Sequence, residues 1–289
     1  DKETFAKYQN QYGAGYSAAY GSPDENPGFF YFDVDGDGQD DLVVPTSEDA
    51  SYGDKFDPDL MVFHWDAFDP TSPFYKTKKP WVAAQNTPET FYEKPVSNNN
   101  SIMLDGATDK GNFKLGYTRS QEKGILPNSE VIKNIVNFGA GYEIAKGLTA
   151  STNINFSKVE GTGRYGTGYS GKNVNQNFRQ WYQTNVDNEE QKEAYFRTRK
   201  NITWNWQDPS TAAGLRPIYT DNFYFMRYES FNNDERTRIF GNVALNYQAT
   251  DWLSFLGRIS MDTYDELRED RNGVGSVDVP GYSRANRHF

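Results

Sequence analysis

Between Leu148 and Phe156 apolar and polar positions alternate without a break. Leu148, Ala150, Thr152, Ile154 and Phe156 point one way; Thr149, Ser151, Asn153, Asn155 and Ser157 point the other. Successive side chains of a strand leave on opposite faces, so this segment has one apolar wall and one polar wall. The pattern recurs. In 98–106, Ile102 and Leu104 oppose Ser101, Met103 and Asp105; in 111–122, Phe113, Leu115 and Tyr117 oppose Lys114, Gly116 and Thr118. In 131–144, Val136, Phe138, Ala140, Tyr142 and Ile144 share a side facing away from Asn137, Gly139, Gly141 and Glu143. It returns in 236–249 (Ile239, Val243, Leu245, Tyr247) and 252–264 (Leu253, Phe255, Ile259, Met261). Segments of about ten residues with period two have the length and pattern of transmembrane β-barrel strands. An antiparallel sheet with one solvated face produces the same alternation.

The connections help to separate the two. They run short (Ala107–Lys110), longer (through Gly124, Pro127 and Asn128), short (Ala145–Gly147), very long after Glu160, then short again at Thr250-Asp251. Outer-membrane barrels alternate in this way, with short periplasmic turns and longer extracellular loops, whereas a soluble sandwich has no reason to. Charged residues suit a wet lumen or a plug: Lys114, Lys133, Glu143, Arg238, Arg258 and Asp262 all fall opposite the apolar positions. Six strands cannot close a barrel, since eight is the smallest common number, so the expectation is an internal piece of a larger one.

Elsewhere the periodicity fails. Residues 1–58, rich in Gly, Pro, Asp, Ser and Tyr, read as a long exposed loop. In 59–97 a short apolar run (Leu60–Phe63) precedes aromatics punctuated by Pro70, Pro73, Pro80 and Pro88, which exclude a long helix. Residues 161–235 are dense in aromatics, with one short helix expected near 174–185 from Phe178, Trp181 and Tyr182 at i, i+3, i+4.

Composition changes this picture little. Hydrophobic residues are 36% and mean hydropathy is −0.85, yet aromatics reach 16%, which suits a thin apolar band diluted by polar lumen and loops. It suits a soluble carbohydrate-binding β protein equally. A net charge of −10 argues against a nucleic-acid partner, and the absence of cysteine excludes disulfides and thiolate metal sites. No apolar run is long enough for a transmembrane helix, which a barrel does not need. The opening Asp-Lys-Glu-Thr has no signal-peptide pattern, so the expectation is that a leader has been removed or that the chain starts inside a longer protein.

The sharpest chemical motif is Asp33-Val34-Asp35-Gly36-Asp37-Gly38-Gln39-Asp40-Asp41. Asp at positions 1, 3, 5 and 9 with Gly at 6 is the spacing of a calcium loop, in which hard oxygens surround Ca²⁺ after a sharp turn. Asp33, Asp35, Asp37 and Asp41 would supply carboxylates and Gln39 its backbone carbonyl. Val44 stands where an EF-hand has its bidentate Glu, so the match is to a shorter loop with a structural role. A solvated acidic turn is the plainer alternative. Gly161–Gly166 fits G-x-G-x-x-G but has no βαβ context, so a nucleotide site is rejected. Neither His64 nor His288 has a catalytic partner nearby in sequence, and no hydrolase, zinc-protease or P-loop motif occurs, so no enzyme is expected. Asn201-Ile202-Thr203 fits a glycosylation sequon.

Several local motifs carry a resemblance. They are Tyr12-Gly13-Ala14-Gly15, Ser51-Tyr52-Gly53-Asp54-Lys55-Phe56-Asp57, Ser97-Asn98-Asn99-Asn100-Ser101, Leu115-Gly116-Tyr117-Thr118 and Gly124-Ile125-Leu126-Pro127-Asn128. In this order, over about residues 12–160, they resemble the early-barrel region of SusC/RagA-type TonB-linked outer-membrane transporters; Pro58 departs from the Gly more usual there. The resemblance implies an all-β fold, part of a large plugged antiparallel transmembrane barrel of the 22-strand class with long extracellular loops. On that reading 1–97 is an extracellular loop and first barrel segment carrying the Asp-rich loop. Residues 98–160 and 236–264 are barrel strands, 161–235 a long aromatic extracellular loop, and 265–289 the start of the next. The implied setting is the bacterial outer membrane and its lipid, with a SusD-like lipoprotein lid and TonB acting through an N-terminal region absent from these residues. The implied cargo is an oligosaccharide or peptide. Tyr165, Tyr169, Trp181, Tyr182, Trp204 and Trp206 are then candidates to touch substrate or lid, against the plainer reading that they pack the loop on itself. Two alternatives stay open: a non-transporting SusC-like subunit of a larger assembly, and a soluble calcium-stabilised carbohydrate-binding β domain.

Overall fold

Alternation of period two over long stretches, joined by two-residue turns, folds as a meander. The computed structural model describes residues 5–16 and 28–277 and divides the chain into two compact units. One comprises 94–164 and 232–270; the other comprises 1–93, 165–231 and 271–289. The protein is mostly β, and its sheets are antiparallel.

The first unit is a six-stranded sheet. Its strands are β5 (Val96–Thr108), β6 (Gly111–Lys123), β7 (Glu130–Ala145), β8 (Leu148–Thr162), β9 (Asn232–Thr250) and β10 (Leu253–Asp270), each paired with its sequence neighbour. All six expected strands are present, and every one is longer than its alternation suggests. The extensions to Asn232 in β9 and to Asp270 in β10 are polar apart from Leu267, which leaves no apolar periodicity to read. Gly147, at φ +77°, takes the left-handed position of the β7–β8 turn.

Register makes the two faces continuous. Leu104, Leu115, Phe138, Ile154, Gly241 and Met261 form one row across the sheet, and Ile102, Tyr117, Val136, Phe156, Ile239 and Thr263 the next on the same face. The opposite face carries Asp105, Lys114, Gly139, Asn153, Asn242 and Ser260 in a row, with Arg238 bonded to Asp262 beside it at 2.8 and 2.5 Å. Beyond the apolar rows Lys158 meets Glu160 and Glu235 at 3.1 and 3.2 Å, so charge resumes where the apolar band stops.

The other unit holds two small two-stranded sheets, β1 (Phe30–Phe32) with β2 (Asp41–Val43) and β3 (Asp57–Val62) with β4 (Lys79–Trp81). Its helices are α1 (Val174–Gln180), α2 (Asn188–Thr198) and α3 (Phe223–Glu229), with short 3₁₀ turns at Trp65–Phe68, Pro88–Phe91 and Ala212–Gly214. Residues expected as an exposed loop therefore supply part of a core: Ala14, Phe29 and Val44 are buried together with Val62 and Trp81 from the segment that follows. Of the barrel segment expected within 1–97, only Val96 and Ser97 lie in the six-stranded sheet. Residues 165–231 are likewise not a free loop. Phe91, Phe178, Tyr182, Phe223 and Tyr224 form an aromatic cluster, with Phe178 4.4 Å from Phe223 between ring centroids.

The two glycine motifs, far apart in sequence, lie side by side. The Gly13 and Gly15 amides donate to the Asp54 and Ala50 carbonyls at 3.1 and 2.9 Å, and the Tyr52 and Gly53 amides donate back to Gly15 and Gly13 at 2.7 and 3.0 Å. Glycine is required at Gly13, where a Cβ would fall 2.1 Å from the Trp81 ring.

Candidate functional site

Aspartate side chains fold the acidic loop on itself before any ligand is considered. Asp33 accepts from the Gly36 and Gly38 amides at 2.6 and 2.9 Å, Asp35 from the Asp37 amide at 3.1 Å, and Asp37 from the Gln39 amide at 2.8 Å. Gly36 and Gly38, at φ +90° and +84°, supply the left-handed turns that this wrapping needs. The result brings a carboxylate oxygen from each of Asp33, Asp35 and Asp37 within 4.8 Å of the others, all three side chains being exposed.

Asp41 and Gln39 are not in that group. Asp41 is buried on β2, 2.7 Å from Lys78 Nζ, and accepts from the Val34 amide at 3.1 Å. Burial pushes its carboxyl up, but the Lys78 bond and the backbone N–H groups outweigh this and hold it below the usual carboxylate range. Lys76 Nζ also donates to the Asp35 carbonyl at 3.3 Å, so two lysines temper the loop's charge. Three carboxylates fit a hard cation such as Ca²⁺. They leave half or more of its six to eight oxygen positions to backbone carbonyls and water.

The aromatic candidates separate by burial. Tyr182, Trp204 and Trp206 are buried and pack the unit: the Tyr182 hydroxyl donates to the Val186 carbonyl at 2.8 Å, and Trp206 Nε1 to the Trp65 carbonyl at 2.8 Å. Tyr165 and Tyr169 are 65% and 83% exposed. Tyr169 and Trp181 line a cleft of about 190 Å³ with Tyr219, Asp49, Gln176 and Asn177. Asp49 accepts from the Tyr16 hydroxyl at 2.6 Å, and that bond, with burial and the charges of Asp49 and Glu48, pushes the Tyr16 phenol up to about 12. Ring faces beside a carboxylate and amides can hold a small polar molecule with an apolar face. Asp49 and Tyr219 carry no local signal; Asp49 reaches the cleft from 120 residues before Tyr169, and Tyr219 from 50 residues after it.

The remaining motifs resolve simply. Gly161 and Thr162 end β8, where Arg164 pairs bidentately with Asp234, a strand-end role with no phosphate cradle. Asn201 spends its amide on Asp221 at 2.8 Å and the Gly275 carbonyl at 3.0 Å, which leaves the sequon engaged within the fold. His64 is buried, with Nε2 3.3 Å from the Pro80 carbonyl; His288 lies outside the described residues. No protein-family model matches this chain, and no curated protein matches it.

Proposed function

We propose that the chain is the early-barrel part of a SusC-like, TonB-dependent outer-membrane transporter of the 22-strand class, importing oligosaccharides or peptides under a SusD-like lipoprotein lid. The observation that carries the reading is the six-stranded meander with one continuous apolar face open to its surroundings. Ile102 is 60% exposed, Val243 54% and Ile259 80%. From Phe156 to Leu148 that face runs about 26 Å along β8 at ~3.3 Å per residue, close to the ~25 Å apolar band of a membrane barrel. A soluble protein rarely leaves so large a contiguous apolar surface in water, which weighs against the carbohydrate-binding alternative. Polar residues and ion pairs on the other face suit a lumen filled by water and a plug.

In this reading the Asp33–Asp37 loop holds a structural Ca²⁺, with Gln39 offering its carbonyl and Asp41 serving Lys78 instead. Tyr169, Trp181 and Tyr219 are the rings offered to cargo or lid. The decisive experiment is fractionation of the full-length product with and without detergent, followed by substrate uptake in cells with and without TonB. Membrane-bound protein and uptake lost without TonB support the transporter. A product soluble without detergent would remove the barrel, and membrane-bound protein with no TonB-dependent uptake would leave the scaffold role.

A further inference from the structure

Lys79, Asp66 and Glu190 form a group, buried at Asp66 and partly exposed at Glu190, that none of the functions above uses. Lys79 opens β4, Asp66 sits in the 3₁₀ turn at Trp65–Phe68, and Glu190 is in the first turn of α2. Lys79 Nζ is 2.8 Å from Asp66 Oδ2 and 2.9 and 3.0 Å from the two Glu190 oxygens. The Asp66 side chain is only 4% exposed and that of Lys79 15%. Asp66 Oδ1 is buried and meets no donor among the described residues. The Phe74 ring lies 4.8 Å from Nζ, and the neutral imidazole of His64 is buried nearby. The next acid, Asp69, is taken up by Arg197 at 2.9 Å.

We infer that Lys79 and Asp66 join in an intramolecular isopeptide bond, with Glu190 as the proton shuttle. A plain ion pair accounts poorly for this geometry, because it leaves a buried carboxylate oxygen without a donor, an arrangement that costs stability. As the carbonyl of an amide the same oxygen is neutral. One amine facing two carboxyls also leaves a proton to share. Burial, the largest influence on each, pushes both the Asp66 and Glu190 carboxyls up against the lowering effect of Lys79, toward the neutral acid that the reaction needs.

The step balances without a co-reactant. The ammonium of Lys79 gives a proton to Glu190, and its freed electron pair attacks Cγ of Asp66, present as the neutral acid. Glu190 takes the second amine proton and passes a proton to the departing hydroxyl. The C–OH bond breaks, the Nζ–Cγ bond forms, and one water leaves. Fixed neighbours in a site that excludes water favour a condensation that bulk water opposes.

Mass spectrometry of the intact full-length product, purified folded and then denatured, tests this. The expected mass is one water below that of the sequence. Trypsin should release Phe56–Lys76 and Lys79–Lys110 as one branched species, because cleavage falls after Lys55, Lys76, Lys78 and Lys110 while Lys79 and Lys94 each precede a proline, Pro80 and Pro95. Lys79→Arg should restore the full mass, and Glu190→Gln should lower the branched fraction. Asp66→Asn should still join, expelling ammonia in place of water. Full mass with only linear peptides in the wild-type protein overturns the proposal. So does a branch from Lys79 to Gln180–Lys192, which would make Glu190 the acyl partner. Both readouts come from the wild-type chain, so a variant that fails to fold does not blur the answer.

Discussion

Ile154 and Asn153 are neighbours on β8 with opposite surroundings. Ile154 stands in the apolar row between Phe138 and Gly241, and Asn153 in the polar row between Gly139 and Asn242. If the apolar face meets lipid, Ile154→Arg places a charge near mid-depth and should cost roughly 2–4 kcal/mol, whereas Asn153→Arg enters a polar wall and should be tolerated. A membrane-refolding titration reads the difference; equal sensitivity at the two positions would refute the assignment of faces. The acidic loop gives a second residue-scale test. Asp35→Ala and Asp37→Ala should each abolish Ca²⁺ binding measured by calorimetry on the intact protein, and Asp41→Asn should leave binding largely intact while loosening Lys78. Loss of binding in Asp41→Asn alone would return Asp41 to the ligand set. The spacing of the motif was readable in the sequence. What it hid was Lys78, which lies 37 residues on and claims the fourth carboxylate.

Elements differ in how openly they announce themselves, and the helices show why. α1 follows Asn173, whose side chain accepts from the Gln176 amide, and its aromatic spacing was visible beforehand. α2 carries a sound cap as well: Asp187 accepts from the Glu189 and Glu190 amides at 2.9 and 3.4 Å. Its apolar stripe, however, is little more than Ala194 and Tyr195, too short to register as a period. α3 depends on Asn222, fully buried. The Asn222 side chain caps the Tyr224 and Phe225 amides at 2.9 and 3.4 Å and donates to the Gln191 and Ile202 carbonyls at 2.7 and 2.8 Å. Asn222→Ala removes a cap worth about 1 kcal/mol and takes the side-chain donor from the Ile202 carbonyl at roughly 1–3 kcal/mol, whereas the Gln191 carbonyl, inside α2, keeps its helical partner. Asn222→Asp keeps the cap acceptor but buries a carboxylate oxygen against the Gln191 and Ile202 carbonyls, so it should be at least as destabilising as Asn222→Ala. Limited proteolysis within 165–231 ranks the three; an Asn222→Ala chain as resistant as wild type would show that the amide is dispensable. The strands were legible because pairing with sequence neighbours needs only local alternation. The helical unit was not, because buried amides such as Asn185, Gln183 and Asn205 bond across long separations and leave no periodic trace.

At the scale of the whole molecule the two units should answer acid differently. His64, buried in the unit formed by 1–93, 165–231 and 271–289, is held down to about 3 by burial first and then, in chains where Lys79 is not joined to Asp66, by the charge of Lys79, against a partial opposing effect of the Pro80 carbonyl. Its unfolded pKa is ~6.5. Below that value the unfolded chain binds a proton that the folded chain refuses. The stability contribution is therefore complete above pH ~6.5 and is lost progressively as pH falls toward 3, at up to about 1.4 kcal/mol per pH unit. Glu190 acts in the opposite sense. Its raised carboxyl favours the fold at low pH and loses that contribution as pH rises through its folded value, so it softens the acid limb without removing it; Asp66 does the same only in chains in which it is not joined to Lys79. The six-stranded unit, 94–164 and 232–270, contains no histidine and so lacks this contribution. Hydrogen exchange of the detergent-solubilised full chain, corrected for the intrinsic pH dependence of exchange, should show protection falling between pH ~6.5 and 3 only in peptides of the unit that holds His64. His64→Gln should flatten the fall. If protection drops in both units together, or if His64→Gln leaves the slope unchanged, the buried imidazole is not what makes this half of the molecule acid-sensitive.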